Sequence, residues 1–180
     1  MKLPIGVLTA ALLCMLTPPT LFAGIELFSP VYGSGSATVT SSAYYDAISS
    51  EWVYEYQISN ATINFSFFSV AINPGASITD YGWYAGAGDP LAWEPVNNPP
   101  QSIEAFFKDP IGPTEMSSIL WFTSPNEPTE GIGSLAGMSG GQYSSFAVGT
   151  VLTPIPEPAT FMLLATGAAA CFVGRSRKNR

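Results

Sequence analysis

The sequence contains no histidine, and charged residues make up only 11% of its 180 residues. The lack of histidine excludes a histidine general base and any zinc site built on imidazole ligands. Six basic residues against thirteen acidic ones leave no basic surface of the kind that nucleic-acid binding requires. The two cysteines are too few for a disulfide-rich scaffold or a four-thiolate metal site. Because no serine-nucleophile or phosphate-binding motif occurs either, we predict a protein that is not an enzyme and uses no metal or other cofactor.

The first 23 residues have the three parts of a secretory signal peptide. Lys2 supplies the positive charge, residues 3–16 form the apolar stretch, and Ala23 is a small residue suited to cleavage before Gly24. We predict a signal-peptide helix over residues 1–23, with the Sec translocon and signal peptidase as partners. A retained membrane anchor is the alternative, although the apolar stretch is shorter than the roughly 20 residues that a span needs.

Residues 154–180 combine a proline-rich stub, an uncharged apolar run and a basic end. The stub contains Pro156, Glu157 and Pro158, and the apolar run follows at residues 159–174. We predict that this run is a transmembrane helix, about 24 Å long at about 1.5 Å per residue, that serves as a temporary anchor. The basic cluster that follows is expected to stay on the cytoplasmic side of the membrane. Its members are Arg175, Arg177, Lys178 and Arg180.

This three-part tail resembles the PEP-CTERM sorting signal of Gram-negative bacteria. The matching features are Pro156-Glu157-Pro158, the apolar stretch from Ala159 and the basic group from Arg175. The resemblance implies a substrate of exosortase, a membrane-embedded cysteine transpeptidase, whose precursor is held for a time in the inner membrane. It also implies a mature form at the cell surface, in the outer membrane or in the extracellular matrix, often tied to exopolysaccharide and biofilm. An ordinary C-terminal membrane anchor behind a proline-containing linker is the alternative.

Residues 24–153, between the two targeting segments, carry 20 of the 23 aromatic residues and no cysteine. Residues 51–58 alternate strictly, with Trp52, Tyr54 and Tyr56 on one face, which is typical of a half-buried strand. A phase change at Phe67-Phe68 predicts a β-bulge or a strand buried on both faces. The remaining strands are predicted at residues 25–32, 37–45, 62–72, 77–85, 102–107, 118–123 and 143–152. Strands at this spacing predict one all-β domain, an antiparallel β-sandwich of the Ig-like or jelly-roll-like kind.

The domain between the signals is strongly acidic. Residues 24–153 contain twelve acidic residues and the single base Lys108, a net charge of −11. Glu51 and Glu55 share one strand face, so an acid pair of the glycosidase kind is one interpretation and a solvated strand face is the other.

Two segments are predicted to be loops: residues 82–101, which are rich in proline and aromatic residues, and residues 125–141, which contain five glycines. Trp83 and Trp93 in the first segment are candidates for stacking on sugar rings of an extracellular polysaccharide; the alternative is that they complete one end of the core. We therefore expect an exported, surface-sorted protein with a non-catalytic structural or adhesive role. A carbohydrate-binding or carbohydrate-cleaving extracellular module is the alternative.

Overall fold

The computed structural model of the chain describes residues 21–86, 88–139 and 142–155. These residues form ten β-strands, and no helix occurs among them. The strands are β1 (Leu21–Tyr32), β2 (Ala37–Asp46), β3 (Glu51–Ser59), β4 (Phe65–Ala71), β5 (Asp80–Tyr84), β6 (Pro90–Val96), β7 (Ser102–Ile111), β8 (Ile119–Ser124), β9 (Pro128–Ser139) and β10 (Gln142–Pro154). The predicted helices over residues 1–23 and 159–174 lie outside the described residues, except that residues 21–23 begin β1.

All ten strands belong to one antiparallel sheet, in the order β5-β8-β3-β2-β1-β10-β9-β4-β7-β6. β1 joins two halves of this sheet, because residues 21–28 pair with β2 whereas residues 29–32 pair with β10. We call β5, β8, β3 and β2 the first half, and β10, β9, β4, β7 and β6 the second half. The edge strands β5 and β6 contact each other, so the sheet nearly closes on itself.

The prediction of an all-β antiparallel domain is confirmed. The prediction of an Ig-like or jelly-roll-like sandwich is not confirmed, because the strands form one continuous sheet in place of two separate ones. The difference arises at β1, whose twelve residues are long enough to pair with β2 at one end and with β10 at the other.

The core lies between the two halves and is built largely from aromatic rings. Tyr56 on β3 contacts Phe68 on β4 at a ring-centroid distance of 5.8 Å and Trp93 on β6 at 6.2 Å. Phe68 and Trp93 stack at 6.1 Å, and Tyr54 stacks on Phe122 at 4.7 Å. Such pairs contribute about 0.5–1.5 kcal/mol beyond the area that they bury. The aromatic-rich composition therefore supplies the contacts that hold the two halves together without a disulfide.

The hydroxyl groups of the two core tyrosines on β3 are both hydrogen-bonded. Tyr54 donates to the carbonyl oxygen of Asn126 at 2.7 Å, and Tyr56 donates to that of Leu152 at 2.5 Å. A buried bond of this kind contributes about 1 kcal/mol and avoids the larger cost of an unpaired buried polar atom. Both bonds also tie β3 to distant parts of the chain, the connection after β8 and the end of β10.

β6 and β9 fall within the segments predicted to be loops. β6 contains Pro90 and Pro95, which its position at the edge of the sheet tolerates because an outer edge needs no hydrogen bonds. β9 is rich in glycine, and Gly133 lies against the ring of Phe28, as does Gly149 of β10. At either position a Cβ atom would overlap that buried ring. The glycines that hide the strand pattern in the sequence thus make room for Phe28.

β4 contains the phase change expected from the sequence. Phe65 and Phe68 are both buried, whereas Phe67 between them packs against Phe106 at a centroid distance of 5.0 Å. The pairing of β4 with β7 shifts register between Phe65 and Phe67, slightly before the predicted position. This irregularity lets Phe65 and Phe68 reach the same core although three positions separate them.

Candidate functional site

The predicted signal-peptidase bond between Ala23 and Gly24 lies inside β1. Ala23 pairs with Ser42 of β2, and Gly24 pairs with Ser41. Three residues of β1 precede this bond, so cleavage there would shorten the strand and make Gly24 its first residue. The rest of the predicted signal peptide lies outside the described residues.

The described chain reaches the predicted sorting signal directly from β10. Thr153 Oγ1 donates to the carbonyl oxygen of Ala71 at 2.7 Å, and the amide of Ile155 donates to the carbonyl oxygen of Glu127 at 2.9 Å. The chain is therefore still held by the fold one residue before Pro156. The motif residues Pro156, Glu157 and Pro158 themselves lie outside the described residues.

The apolar run at residues 159–174 and the basic cluster Arg175, Arg177, Lys178 and Arg180 also lie outside the described residues. Within residues 21–86, 88–139 and 142–155, no helix is long and apolar enough to cross a membrane. The predicted transmembrane helix therefore stays a prediction.

The predicted signal-peptidase bond and the end of β10 lie at the same end of the domain. The amide of Leu152 donates to Ser41 Oγ at 3.4 Å, and Ser41 is the strand partner of Gly24. A cleft of about 410 Å³ opens here between β1 and β10, and its lining includes Gly24, Glu26 and Glu130. The start of the predicted mature chain and the start of the sorting signal are thus close together in the fold.

Trp93, one of the two tryptophans predicted to contact carbohydrate, lies in the core. Its side chain is 1% exposed, and its Nε1 donates to the carbonyl oxygen of Trp121 at 2.8 Å. An indole enclosed in this way has no free face for a sugar ring. The burial of Trp93 therefore contradicts the predicted carbohydrate contact and agrees with the alternative, a core role.

Trp83 lies on the edge strand β5 and is 39% exposed, and Tyr81 on the same strand is 44% exposed. The two residues pair with Leu120 and Phe122 of β8, which are buried, so their rings lie at the rim of the core. Because Trp93 is enclosed, the structure does not bring Trp83 and Trp93 together as one surface platform.

A group of side chains that sequence reasoning missed lies on the outer face of the first half, and we call it the outer cluster. Its centre is Glu55 of β3, whose Oε1 accepts a hydrogen bond from Tyr44 and whose Oε2 accepts one from Ser42, both at 3.4 Å. Strand register places Trp121 of β8 beside Glu55, and Tyr84 of β5 completes the cluster. Four neighbouring strands therefore contribute to it.

The two tyrosines of the outer cluster remain protonated far above neutral pH. Burial and the charge of Glu55 raise the pKa of Tyr44 to about 12, and Tyr84 adds to the effect. Burial and the charge of Glu55 also raise the pKa of Tyr84. Both phenols are therefore neutral hydrogen-bond donors around the Glu55 carboxylate.

Trp121 forms the aromatic surface beside this carboxylate. Its indole lies over the backbone of Gly82, where a Cβ atom would be 2.9 Å from Trp121 Cζ2. The ring centroids of Trp121 and Tyr84 are 6.3 Å apart at an interplanar angle of 30°. Next to Tyr84 a pocket of about 380 Å³ continues this face, with Gln57 and Met116 in its lining.

The outer face of the first half carries only acidic charges. Strand register and alternation place four carboxylates on it, those of Asp46, Glu51, Glu55 and Asp80. Lys108, the one basic residue of the described chain, lies on β7 in the second half. Among the described residues, no three or more His, Cys, Asp or Glu side chains lie close enough together to hold a metal ion.

A sequence model of the PEP-CTERM protein-sorting motif matches residues 154–178. The match confirms the resemblance of the tail and supports an exported precursor that exosortase sorts to the cell surface. No curated protein sequence and no solved structure shows a match to the chain. The chain carries a PEP-CTERM protein-sorting motif that begins in the last strand of its β-sheet.

Proposed function

We propose that the protein is an exosortase substrate whose β-domain has a non-catalytic structural or adhesive role once it has been sorted. The observation that carries the sorting step is the motif match over residues 154–178. In this proposal the Sec translocon and signal peptidase release the domain from residues 1–23. The tail then holds the precursor in the inner membrane until exosortase acts. The mature form resides at the cell surface, in the outer membrane or in the extracellular matrix.

The fold supports a close connection between the β-domain and the sorting signal. Ile155 is still hydrogen-bonded to the domain, so the motif extends from a completed sheet with almost no linker. Because Leu152 and Gly24 meet at one end of the domain, both predicted membrane-associated segments leave from the same side. A folded domain can therefore rest on the membrane while the tail stays inserted.

The way in which the domain is stabilised suits a location outside the cell. Residues 24–153 contain no cysteine and depend on an aromatic core and on buried bonds such as that from Tyr56 to Leu152. Stability of this kind does not change with the redox state of the surroundings, which suits a protein kept outside the cell.

The sorting step is tested by mass spectrometry of both termini of the native protein. We expect the mature chain to begin at Gly24 and to lack Arg180. A Glu157→Ala variant should retain its basic end and stay in the membrane fraction, whereas Ser176→Ala, a change in the same tail outside the motif, should be processed normally. A native mature chain that still ends at Arg180 would contradict processing by exosortase.

Carbohydrate binding is the second candidate function, and the observation that favours it is the exposed pair Tyr81 and Trp83 on the edge strand. Aromatic faces at an edge can stack on sugar rings. The test compares binding of the organism's own exopolysaccharide by Trp83→Ala with binding by Phe106→Ala, a control at an aromatic residue that is 44% exposed in the second half. Equal binding by the two variants would remove this candidate.

A further inference from the structure

We propose that the outer cluster is a binding site for an organic ammonium ion. Glu55 provides the negative charge, and the rings of Tyr44, Tyr84 and Trp121 form the walls. This site goes beyond the proposed sorting function and does not depend on it, because it lies entirely on the outer face of the first half.

Three side chains, Ser42, Tyr44 and Tyr84, interact with the Glu55 carboxylate through their hydroxyl groups. Its bonds from Tyr44 and Ser42 are both 3.4 Å long, well beyond the roughly 2.7–2.8 Å that is usual between two oxygen atoms. A carboxylate has about four acceptor positions, so further donors can bind there. The only basic side chain of the described chain, Lys108, lies on β7, a strand that does not neighbour β3. The charge of Glu55 is therefore without a cationic partner in the described fold.

The aromatic rings around Glu55 favour an organic cation. An ammonium group within about 6 Å of a Tyr or Trp ring is attracted by about 0.5–2 kcal/mol, depending on how far it is removed from water. The ring centroids of Tyr84 and Trp121 are 6.3 Å apart, and the indole of Trp121 packs over Gly82. The hydroxyl of Tyr44 contacts the same carboxylate and interacts with that of Tyr84. The three aromatic side chains therefore lie next to the charge that the cation would neutralise.

The charge and the ligand groups of the whole face argue against anionic ligands and bare metal ions. Asp46, Glu51 and Asp80 share the face with Glu55, so the local potential concentrates cations and repels anions. A bare divalent cation needs several oxygen ligands, and the described residues provide no group of three or more possible ligands. An alkylated ammonium ion needs one carboxylate and aromatic faces, which is what the outer cluster offers.

The test is a titration with choline followed by the indole N–H resonances of the four tryptophans. It uses the full-length protein in a non-ionic polyoxyethylene detergent. We expect choline to shift the Trp121 resonance and to leave that of the buried Trp93 unchanged. The neutral isostere 3,3-dimethylbutan-1-ol has the same shape without the charge, and it should produce no shift. Phosphocholine, which adds an anionic phosphate as in a lipid headgroup, should bind more weakly than choline on this acidic face.

Matched variants separate the site from the general charge of the domain. Glu55→Gln should lower the affinity for choline by about tenfold, whereas Glu104→Gln, which removes one negative charge in the second half, should change it by less than about twofold. Tyr84→Leu, which removes the ring, should bind about threefold more weakly. Circular dichroism establishes that each variant is folded before it is titrated.

Three results would overturn the proposal. One is the absence of any choline-dependent shift of the Trp121 resonance in the unaltered protein. Another is equal binding of choline and its neutral isostere, which would indicate an apolar or sugar-binding surface. The third is unchanged affinity in a folded Glu55→Gln variant.

Discussion

The inner and outer faces of the first half use the same side chains in different ways. Tyr54 and Tyr56 point inward from β3, and each hydroxyl bonds to a backbone carbonyl of a distant segment. Tyr44 and Tyr84 lie on the outer face, where their hydroxyls gather around the carboxylate of Glu55. The inner tyrosines thus fix the chain path, whereas the outer ones shape a surface.

This difference shows that the residue type alone does not determine whether a tyrosine stabilises the fold or shapes a surface. A tyrosine hydroxyl stabilises the fold when its partner is a buried carbonyl that would otherwise be unpaired. Beside a partly exposed carboxylate, the same group contributes little to stability and is available for recognition. Changes on the inner face should therefore reduce the free energy of unfolding, and changes on the outer face should leave it nearly unchanged.

The largest effect is expected from Trp93→Ala. The variant removes a buried ring that stacks on Phe68 and contacts Tyr56, and it should lose about 3–5 kcal/mol of unfolding free energy. Trp83→Ala, at the rim, should lose markedly less. Urea unfolding measures both changes, and an equal loss in the two variants would contradict the assignment of Trp93 alone to the core.

A smaller loss is expected from Gly149→Ala. The new Cβ atom overlaps the buried ring of Phe28, which should cost about 1–3 kcal/mol in urea unfolding. Gly82→Ala on the outer face also meets a ring, but Trp121 is partly exposed and can move, so the cost should be lower. Adding Phe28→Leu to Gly149→Ala should restore part of the lost stability. Adding Phe28→Leu to Gly82→Ala should restore none.

Alkaline pH should weaken the inner face. Burial raises the pKa of Tyr54 and that of Tyr56 above the ordinary value of a tyrosine. The folded chain holds the protons of these two hydroxyl groups more tightly than the unfolded chain does. The stability that the two protonated hydroxyls contribute is therefore complete below about pH 10, and it is lost as the pH rises through the folded-state pKa. Tyrosinate absorbance should therefore rise partly together with the loss of tertiary structure. Complete ionisation of all tyrosines while the fold persists would contradict this.

The smallest effects are expected from removing single hydroxyl groups. Tyr56→Phe leaves the carbonyl of Leu152 without this donor and should cost about 1 kcal/mol. Tyr44→Phe loses a bond of 3.4 Å beside solvent and should cost less than about 0.5 kcal/mol. The two variants, compared by thermal unfolding at neutral pH, test whether the two faces differ in the way described.

The sequence predicts strands best where side chains alternate. β3 follows its predicted face assignment, with Tyr54 and Tyr56 inside and Glu55 outside. The sequence does not predict β6 and β9 as strands. β6 contains prolines, which the edge of the sheet tolerates, and β9 contains glycines, which leave space for the ring of Phe28. In both strands the cause lies in a neighbour that sequence periodicity does not reveal.

The outer cluster escapes prediction for a related reason. Tyr44 and Tyr84 are far apart in the sequence and reach the same carboxylate only because β2, β3, β8 and β5 are neighbours in the sheet. Alternation alone places Glu55 on a solvated face, which is correct but incomplete. The sorting signal, by contrast, is read from consecutive residues and needs no fold to be recognised.

The neighbouring positions of β1 and β10 have a consequence for folding. The middle of the sheet is formed by the first and last strands of the domain, so the sheet cannot be completed before β10 has crossed the membrane. Pairing between such distant segments is slow, because a long loop must close before any contact forms. Because the sorting motif begins within β10, it follows the final strand directly in the chain. One strand, β10, is thus both the last strand of the sheet in chain order and the strand in which the sorting motif begins.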